Sequence, residues 1–447
     1  MSDPSTSHPT RRGVLRAGGS VAATAVGSIA ATACSSSIKG SSGTTGSGAT
    51  AGELKIGWLH PITGGLSGFG SADNFVLSKI RATPQYSKGF TIGGKTWKVT
   101  IRSYDTQSNP TVSGNLAHQA ILSDGMDMLV ASSTPETVNP VASAGETLGT
   151  PVICTDCPWE SWYTNLNGNI AKPTFKPKYT TVFFFGVEHL AGSYIPMWKR
   201  VTTNKVVGCA FPNDSDGNVF RAVWPGFAMK AGYKLVIPPA YTDGTTDYTS
   251  LIAKFKSAGC ELFTNVSLPP DFANLWKQMY QQGFKPRLAT VGKDLLFPSD
   301  AYALGSIVNN VACNARWTPN LPYQSSLTGE TCQQYGNEFE STTGGQWIQS
   351  LGGSYALFEV AHAVYTSVGD PKDKAEVAAK MQTVSVDTMV GTLDFADPKN
   401  PAPGVRIIFP VGAQWQKGTK YPYELLVVDN TLNPKVAVQA PLKETNQ

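Results

Sequence analysis

Few groups in this chain stand at spacings that do covalent or redox chemistry. Cys154-Thr155-Asp156-Cys157 has the CxxC spacing of a dithiol. A thioredoxin-type motif, however, sets its first Cys at a helix N-terminus, where the thiolate is stabilised. Cys154 instead closes the apolar strand-like run Pro151-Val152-Ile153, so two structural thiols or a local disulfide fit better. The five His (His8, His60, His118, His189, His362) are scattered, with neither a second CxxC nor an HExxH to build a zinc site. The glycine-rich residues 64–70 lack the Lys-Ser/Thr of a phosphate loop and the GxGxxG of dinucleotide binding, and no GxSxG nucleophile elbow occurs. The chain is therefore expected to be no enzyme and to need neither metal nor cofactor.

The remaining chemistry is recognition. Ser132-Ser133-Thr134 lies between an apolar run and a helical stretch. Hydroxyls and free N–H groups ahead of a helix make an anion site, although the same residue types also cap helices. Residues 155–163 (Thr-Asp-Cys-Pro-Trp-Glu-Ser-Trp-Tyr) are unusually aromatic for a loop. There Trp159 and Trp162 can wall a ligand while Asp156 accepts from it; equally, the tryptophans can pin the loop to its own lobe.

Alternating strands and helices must position these loops. Residues 53–59, 98–104, 128–131 and 151–153 read as strands, separated by helical stretches at 72–80, after Asn109-Pro110, and at 138–148. Asn109 is a natural N-cap and Pro110 a natural first-turn residue. The pattern restarts with strands at 205–211, 235–237, 262–266 and 288–291, and helices at 218–231, 247–258 and 271–282. A long apolar helix is expected over 353–368, and a strand-like aromatic tail from Ile407. The fold class is thus α/β, with two Rossmann-like lobes built on parallel sheets. Ligands of such sheets sit outside the carboxyl ends of the strands. That rule selects residues 64–70, 132–134, 155–162, 213–217, 242–246, 269–271 and 292–294.

The first 52 residues differ in kind. Thr10-Arg11-Arg12-Gly13-Val14-Leu15-Arg16 is a twin-arginine export pattern, followed by a small-residue apolar stretch ending Ala31-Thr32-Ala33-Cys34. Residues 1–33 read as a lipoprotein signal peptide, Cys34 as the lipidated residue, and 34–52, rich in Gly, Ser and Thr, as a flexible tether. The apolar stretch is shorter than the roughly 20 residues of a membrane span. The expected place is the outer face of the cell membrane, held only by lipid. Removing residues 1–33 takes away three Arg and one Asp, so the net charge of +4 falls to +2. That balance speaks against a nucleic-acid partner. Six further cysteines remain: Cys154, Cys157, Cys209, Cys260, Cys313 and Cys332. In an oxidising compartment Cys313–Cys332 is the favoured disulfide, clipping a Pro-containing loop, with Cys209 and Cys260 as buried thiols on neighbouring strands.

From Leu54 to the C-terminus the chain resembles the branched-chain amino-acid type of ABC-transporter substrate-binding proteins, the type I periplasmic-binding fold. The resemblance is carried by Leu54-Lys55-Ile56-Gly57 with the glycine-rich turn, Tyr104-Asp105 followed by Asn109-Pro110, Asp124-Gly125-Met126-Asp127 before Ser132-Ser133-Thr134, and Gln414-Trp415-Gln416-Lys417-Gly418. It implies a multi-crossover hinge, with lobe 1 formed by 54–187 and 318–388 and lobe 2 by 188–317 and 389–447. It also implies a monomer that closes on one small molecule and delivers it to an ABC-transporter permease; the alternative is a ligand-binding partner of a membrane sensor. By the resemblance, Ser132, Ser133 and Thr134 meet a ligand carboxylate, Phe69 stacks on the ligand, and Glu188 is an acidic contact. In lobe 2 the chain departs from the pattern. Asp216 stands where an aromatic precedes Gly217, and Thr245 takes the place of the acid that holds an ammonium, leaving Asp216 or Asp243 as substitutes. An amino acid, an amide, or an aromatic or small carboxylate all remain open as the solute.

Overall fold

A computed structural model describes residues 50–445. The expected signal peptide, Cys34 and most of the expected tether lie outside the described residues. The first strand starts earlier than expected. Thr50, Ala51 and Gly52 already belong to it, and Gly52 pairs with Trp97. A side chain at Gly52 would stand 2.7 Å from the Trp97 ring, so the bare backbone lets the indole lie across it.

Sixteen strands are described: β1 (Thr50–His60), β2 (Phe90–Ile92), β3 (Lys95–Asp105), β4 (Met128–Ala131), β5 (Val152–Thr155), β6 (Thr180–Phe183), β7 (Val206–Ala210), β8 (Lys234–Val236), β9 (Leu262–Asn265), β10 (Leu288–Val291), β11 (Ala312–Ala315), β12 (Ser385–Thr388), β13 (Gly391–Asp394), β14 (Val405–Arg406), β15 (Val411–Lys417) and β16 (Tyr423–Asp429). They form two seven-stranded sheets, ordered β14-β6-β5-β4-β1-β3-β2 and β16-β15-β11-β10-β9-β7-β8, plus a β12-β13 ribbon. Each sheet is parallel in its middle and antiparallel at an edge, by β2 in the first and by β15 and β16 in the second. The two α/β lobes read from the sequence are present, with mixed rather than purely parallel sheets.

Local chemistry explains the helices. Asn109 caps Pro110–Leu122, its side chain accepting from Thr111 N and Val112 N at 2.9 and 3.1 Å. Helix Pro269–Gln281 buries Phe272, Leu275, Trp276 and Met279, the i, i+3, i+4, i+7 stripe of an amphipathic helix. Helix Ser350–Tyr365 is buried on nearly every face and packs against β5 and β12. It serves as the central helix of the first lobe. Among the described residues no helix is long and apolar enough to cross a membrane.

The chain passes between the sheets three times. Helix Val187–Lys199, after β6, packs on β11, β15 and β16, and helix Ser350–Tyr365, after β11, returns to the first sheet. The last passage corrects the expected boundary at 388/389. Strand β14 still extends the first sheet, with Val182 N donating to Gly404 O at 2.8 Å and Phe184 N to Arg406 O at 2.9 Å. The crossing therefore falls after Arg406.

All six described cysteines are free and buried. The expected Cys313–Cys332 disulfide is absent: Cys313 lies in β11 of the second sheet, whereas Cys332 opens helix Cys332–Thr343 and donates its Sγ–H to Met389 O at 3.3 Å. Cys154 and Cys157 are likewise thiols, the latter donating to Asn139 Oδ1 at 3.4 Å. Burial pushes the Cys154 thiol up to about 12 and Cys260 up to about 11, which suppresses the reactive thiolate. Reducing agent is expected to leave the melting temperature unchanged, and thiol reagent to label these six positions only after denaturation. A drop of several degrees on reduction would show that a disulfide has been missed.

Candidate functional site

The carboxyl ends of both sheets face one another around a cavity of about 40 Å³, lined from the first lobe by Phe69, Ser133, Thr134, Asp156 and Phe184 and from the second by Leu190, Asp216, Phe220, Lys293 and Arg316. Phe185, Val266, Leu296 and Asn314 also line it. That volume holds about three water molecules, so the cleft is shut tightly in this conformation.

Two first-lobe loops enter the cavity with strained backbones. Ser133, after β4, has φ +136°, and Asp156, after β5, has φ +59°. Non-glycine residues in such regions cost about 1–3 kcal/mol and cluster at binding and catalytic sites. The strain aims side chains inward. Thr134 is the N-cap residue of helix Pro135–Leu148 but makes no side-chain capping bond. Its Oγ1 and the Ser133 Oγ are buried without a hydrogen-bond partner. The capping alternative is thereby excluded for Thr134, and both hydroxyls are available to a ligand. Ser132 behaves otherwise: its Oγ accepts from Trp58 Nε1 at 3.1 Å, which anchors the loop from behind.

Charge converges from both lobes. Arg316, one residue past β11, pairs across the cleft with Asp156 (Nε–Oδ1 2.7 Å), its guanidinium 5.5 Å from the Phe69 ring and 5.8 Å from Phe184. Lys293 Nζ lies 2.8 Å from Asp214 Oδ2, 2.9 Å from Asp216 Oδ2 and 3.4 Å from Glu136 Oε1. Glu136 belongs to the first lobe, so this contact also spans the cleft. Asp214 is held in place as the cap of helix Ser215–Lys230, accepting from Gly217 N at 2.6 Å. Burial works against the charge on Lys293, but Asp214, Asp216 and Glu136 outweigh it and hold its pKa well above the ordinary lysine value. Burial raises Asp216 to about 7; Lys293 opposes the rise, while Glu136 and Asp214 add to it. Asp156 rises to about 6 through burial, offset by Arg316.

An aromatic pair closes the cavity on the outside. Phe69 meets Phe297 of the second lobe edge-on at 4.8 Å between centroids. Beyond the pair lies a separate open pocket of about 380 Å³, bounded by Gly64, Ser71, Pro269 and Asp300 among others. Gly68 permits this closure, since a Cβ there would stand 2.8 Å from the Phe297 ring.

Of the residues singled out by sequence, the structure brings Phe69, Ser133, Thr134, Asp156 and Asp216 to the cavity and leaves six outside its lining. Ser132 is the anchor described above. Trp159 is buried behind the wall, donating Nε1–H to Glu188 Oε1 at 2.9 Å, and Glu188 also lies 3.1 Å from His189. Trp159 and Glu188 thus brace the crossover into helix Val187–Lys199 rather than face a ligand. Thr245 folds back on its own turn, its Oγ1 donating to Thr242 O at 2.6 Å. Asp243 is half-buried at the edge of the acidic group, raised to about 6 by burial and by Asp214. Trp162 is buried in the first lobe's core. Sequence reasoning missed Lys293, Arg316, Glu136 and the Phe184–Phe185 pair. Lys293 stood inside a loop the sheet-end rule had selected, whereas Arg316 follows a strand that lacks a clear hydrophobic period.

The raised acids set a pH dependence. Asp156, Asp216, Asp243, Asp294 and Glu359 all have folded-state values of about 6 to 7, above those of ordinary carboxyls. Between about pH 4 and 7 the folded chain therefore holds protons that the unfolded chain has released, and stability falls as pH rises through that window. The melting temperature is expected to be several degrees higher at pH 5.5 than at 7.5, with a shallower slope in Asp216→Asn; equal melting at both values would contradict the burial of these groups.

Comparison with known proteins gives one family and many shared folds. The family profile described as "Periplasmic binding protein" matches residues 53–409. A Leu/Ile/Val-binding protein homolog from Brucella melitensis is 23% identical over 246 residues, a stretch spanning 53% of this chain and 60% of that relative. Among solved structures, a leucine-binding protein from Thermotoga maritima superposes with a TM-score of 0.69 at 15% identity, covering 83% of this chain and 97% of the other. An ABC-transporter solute-binding protein from Rhodopseudomonas palustris, in complex with 3,4-dihydroxybenzoic acid, gives 0.65 at 14% identity over 88% and 99%. A branched-chain amino-acid binding protein from Streptococcus pneumoniae, in complex with isoleucine, gives 0.62 at 11% identity over 84% and 99%.

Proposed function

Because the chain belongs to the periplasmic binding protein family, we propose that it is an extracytoplasmic solute-binding lipoprotein that closes on one small molecule and delivers it to an ABC-transporter permease. Residues 1–33 direct export and Cys34 carries the lipid. Lobe 1 comprises residues 54–187 and 318–406, lobe 2 residues 188–317 and 407–447. The observation that carries the reading is the enclosed cavity itself, walled from both sheets and lined by unpartnered polar atoms of Ser133, Thr134 and Asp216. An apolar cavity with a few convergent polar groups is the ordinary form of a small-molecule site.

Closure is the signal in this reading. Ligand contacts drawn from both lobes exist only when the cleft is shut, so the ligand shifts the population toward the closed form by its differential affinity. The Lys293–Glu136 and Arg316–Asp156 pairs are made in that form alone and add to its stability. The Phe69–Phe297 pair then excludes water. The closed pair of lobe surfaces is what a permease would recognise.

Two measurements test the proposal. Small-angle scattering of the purified chain should show compaction on adding a bound solute. Lys293→Ala, which leaves Glu136, Asp214 and Asp216 facing each other without their cation, should enlarge the unliganded radius of gyration. An unchanged radius would remove the latch role. In cells, Cys34→Ser should move the protein from the membrane fraction to the soluble extracytoplasmic fraction; retention on the membrane would rule out lipid as the anchor.

A further inference from the structure

The charged groups in and behind the cavity wall are unequal in number. Two cations, Arg316 and Lys293, meet four carboxylates, those of Asp156, Asp214, Asp216 and Glu136. Both cations are already engaged: Arg316 turns its Nε and Nη2 to Asp156, and Lys293 meets three acids. Asp216 is 3% exposed and lines the cavity, yet its Oδ1 has no hydrogen-bond donor, and the Glu136 Oε2 is likewise buried and unpartnered. A buried acceptor without a donor costs about 1–3 kcal/mol, more when charged. The lining beside these oxygens is aromatic, with Phe69, Phe184, Phe185 and Phe220 around one small volume. Aromatic faces attract cations through the ring quadrupole.

We infer that the solute is a small organic cation, an alkyl- or arylamine of net charge +1, whose ammonium donates to Asp216 Oδ1 and whose apolar body lies among the phenylalanines. The inference rests on the solute-binding reading above and narrows it to one charge class. A monocarboxylate entering this cavity would place another negative charge beside the Asp216 carboxyl, whose ionised Oδ1 has no proton to donate to it. A zwitterion would leave the imbalance where it was. An ammonium supplies several donors and removes one negative charge from the sum. The cavity of about 40 Å³ is smaller than such an amine, so the lobes stand further apart around it than they do here.

Calorimetric titration with molecules that share one side chain and differ in the charged groups tests this directly: isopentylamine, leucine and 4-methylpentanoate, and in parallel benzylamine, phenylglycine and phenylacetate. The expected order is amine tighter than amino acid, and amino acid tighter than acid, with Asp216→Asn weakening the amine at least tenfold and Glu136→Gln weakening it less. Melting temperatures of both variants show that they fold. Tighter binding of leucine, phenylglycine or either acid overturns the cation class while leaving the receptor reading intact. No binding by either amine at millimolar concentration overturns it too, and so does an amine affinity unmoved by Asp216→Asn. An amine that binds without compaction in small-angle scattering keeps the charge class and removes closure as the transport signal.

Discussion

The structure depends on a buried charge cluster that neither lobe completes alone. Lys293 comes from the second sheet, Glu136 from the first turn of a first-lobe helix, and Asp214 and Asp216 from the start of another helix. A lysine this deeply buried is costly without partners, and three acids packed together are costly without a cation. Their meeting point fixes how near the lobes come, and so fixes the cavity. The Arg316–Asp156 pair repeats the arrangement on the other side of the ligand space. Both pairs join the lobes through charge in a medium where charge is weakly screened.

Precision within the site is bought by strain in the first lobe. Ser133 and Asp156 occupy backbone regions that L-residues seldom adopt, and each is held there by packing around it. Trp58 donates to Ser132 immediately before Ser133, while Asp156 is tied to Arg316 across the cleft. The unused capping capacity of Thr134 belongs to the same economy. A hydroxyl turned to its own helix would stabilise the lobe, whereas one left open is available to a solute. Trp159 and Glu188 contribute from behind, bracing the segment where the chain leaves the first sheet. Aromatic residues near a cleft thus divide between those that meet ligand space and those that hold its wall.

Much of the fold was legible in the sequence because buried parallel strands are short continuous apolar runs. Strands at 128–131 and 288–291 were placed to the residue, and the Asn109-Pro110 cap was read correctly from two residue types. Strands β6 and β11 were not read: Thr-Thr-Val-Phe and Ala-Cys-Asn-Ala have neither length nor period. Both are crossover strands, so their loss also hid Arg316, Phe184 and Phe185. The last boundary was misplaced because β14 is two residues long and is recognisable only by its bonds to β6. The disulfide expectation failed for a similar reason, since residues near in sequence lay in different lobes.

The site was half legible, and the division follows physical type. Hydroxyls at strand ends and an acid in an aromatic loop are local features that a motif can reveal, and Ser133, Thr134 and Asp156 do line the cavity. Charge complementarity across a cleft is non-local. Lys293 gains its meaning only beside Glu136, Asp214 and Asp216, residues separated from it by 157, 79 and 77 positions. The same non-local sum separates the two candidates left in lobe 2. With Thr245 in place of an acid, the sequence had offered Asp216 or Asp243 as substitutes, and of these Asp216 lines the cavity. With four carboxylates close to two cations, the cleft keeps an unpartnered acceptor, Asp216 Oδ1, at the start of helix Ser215–Lys230.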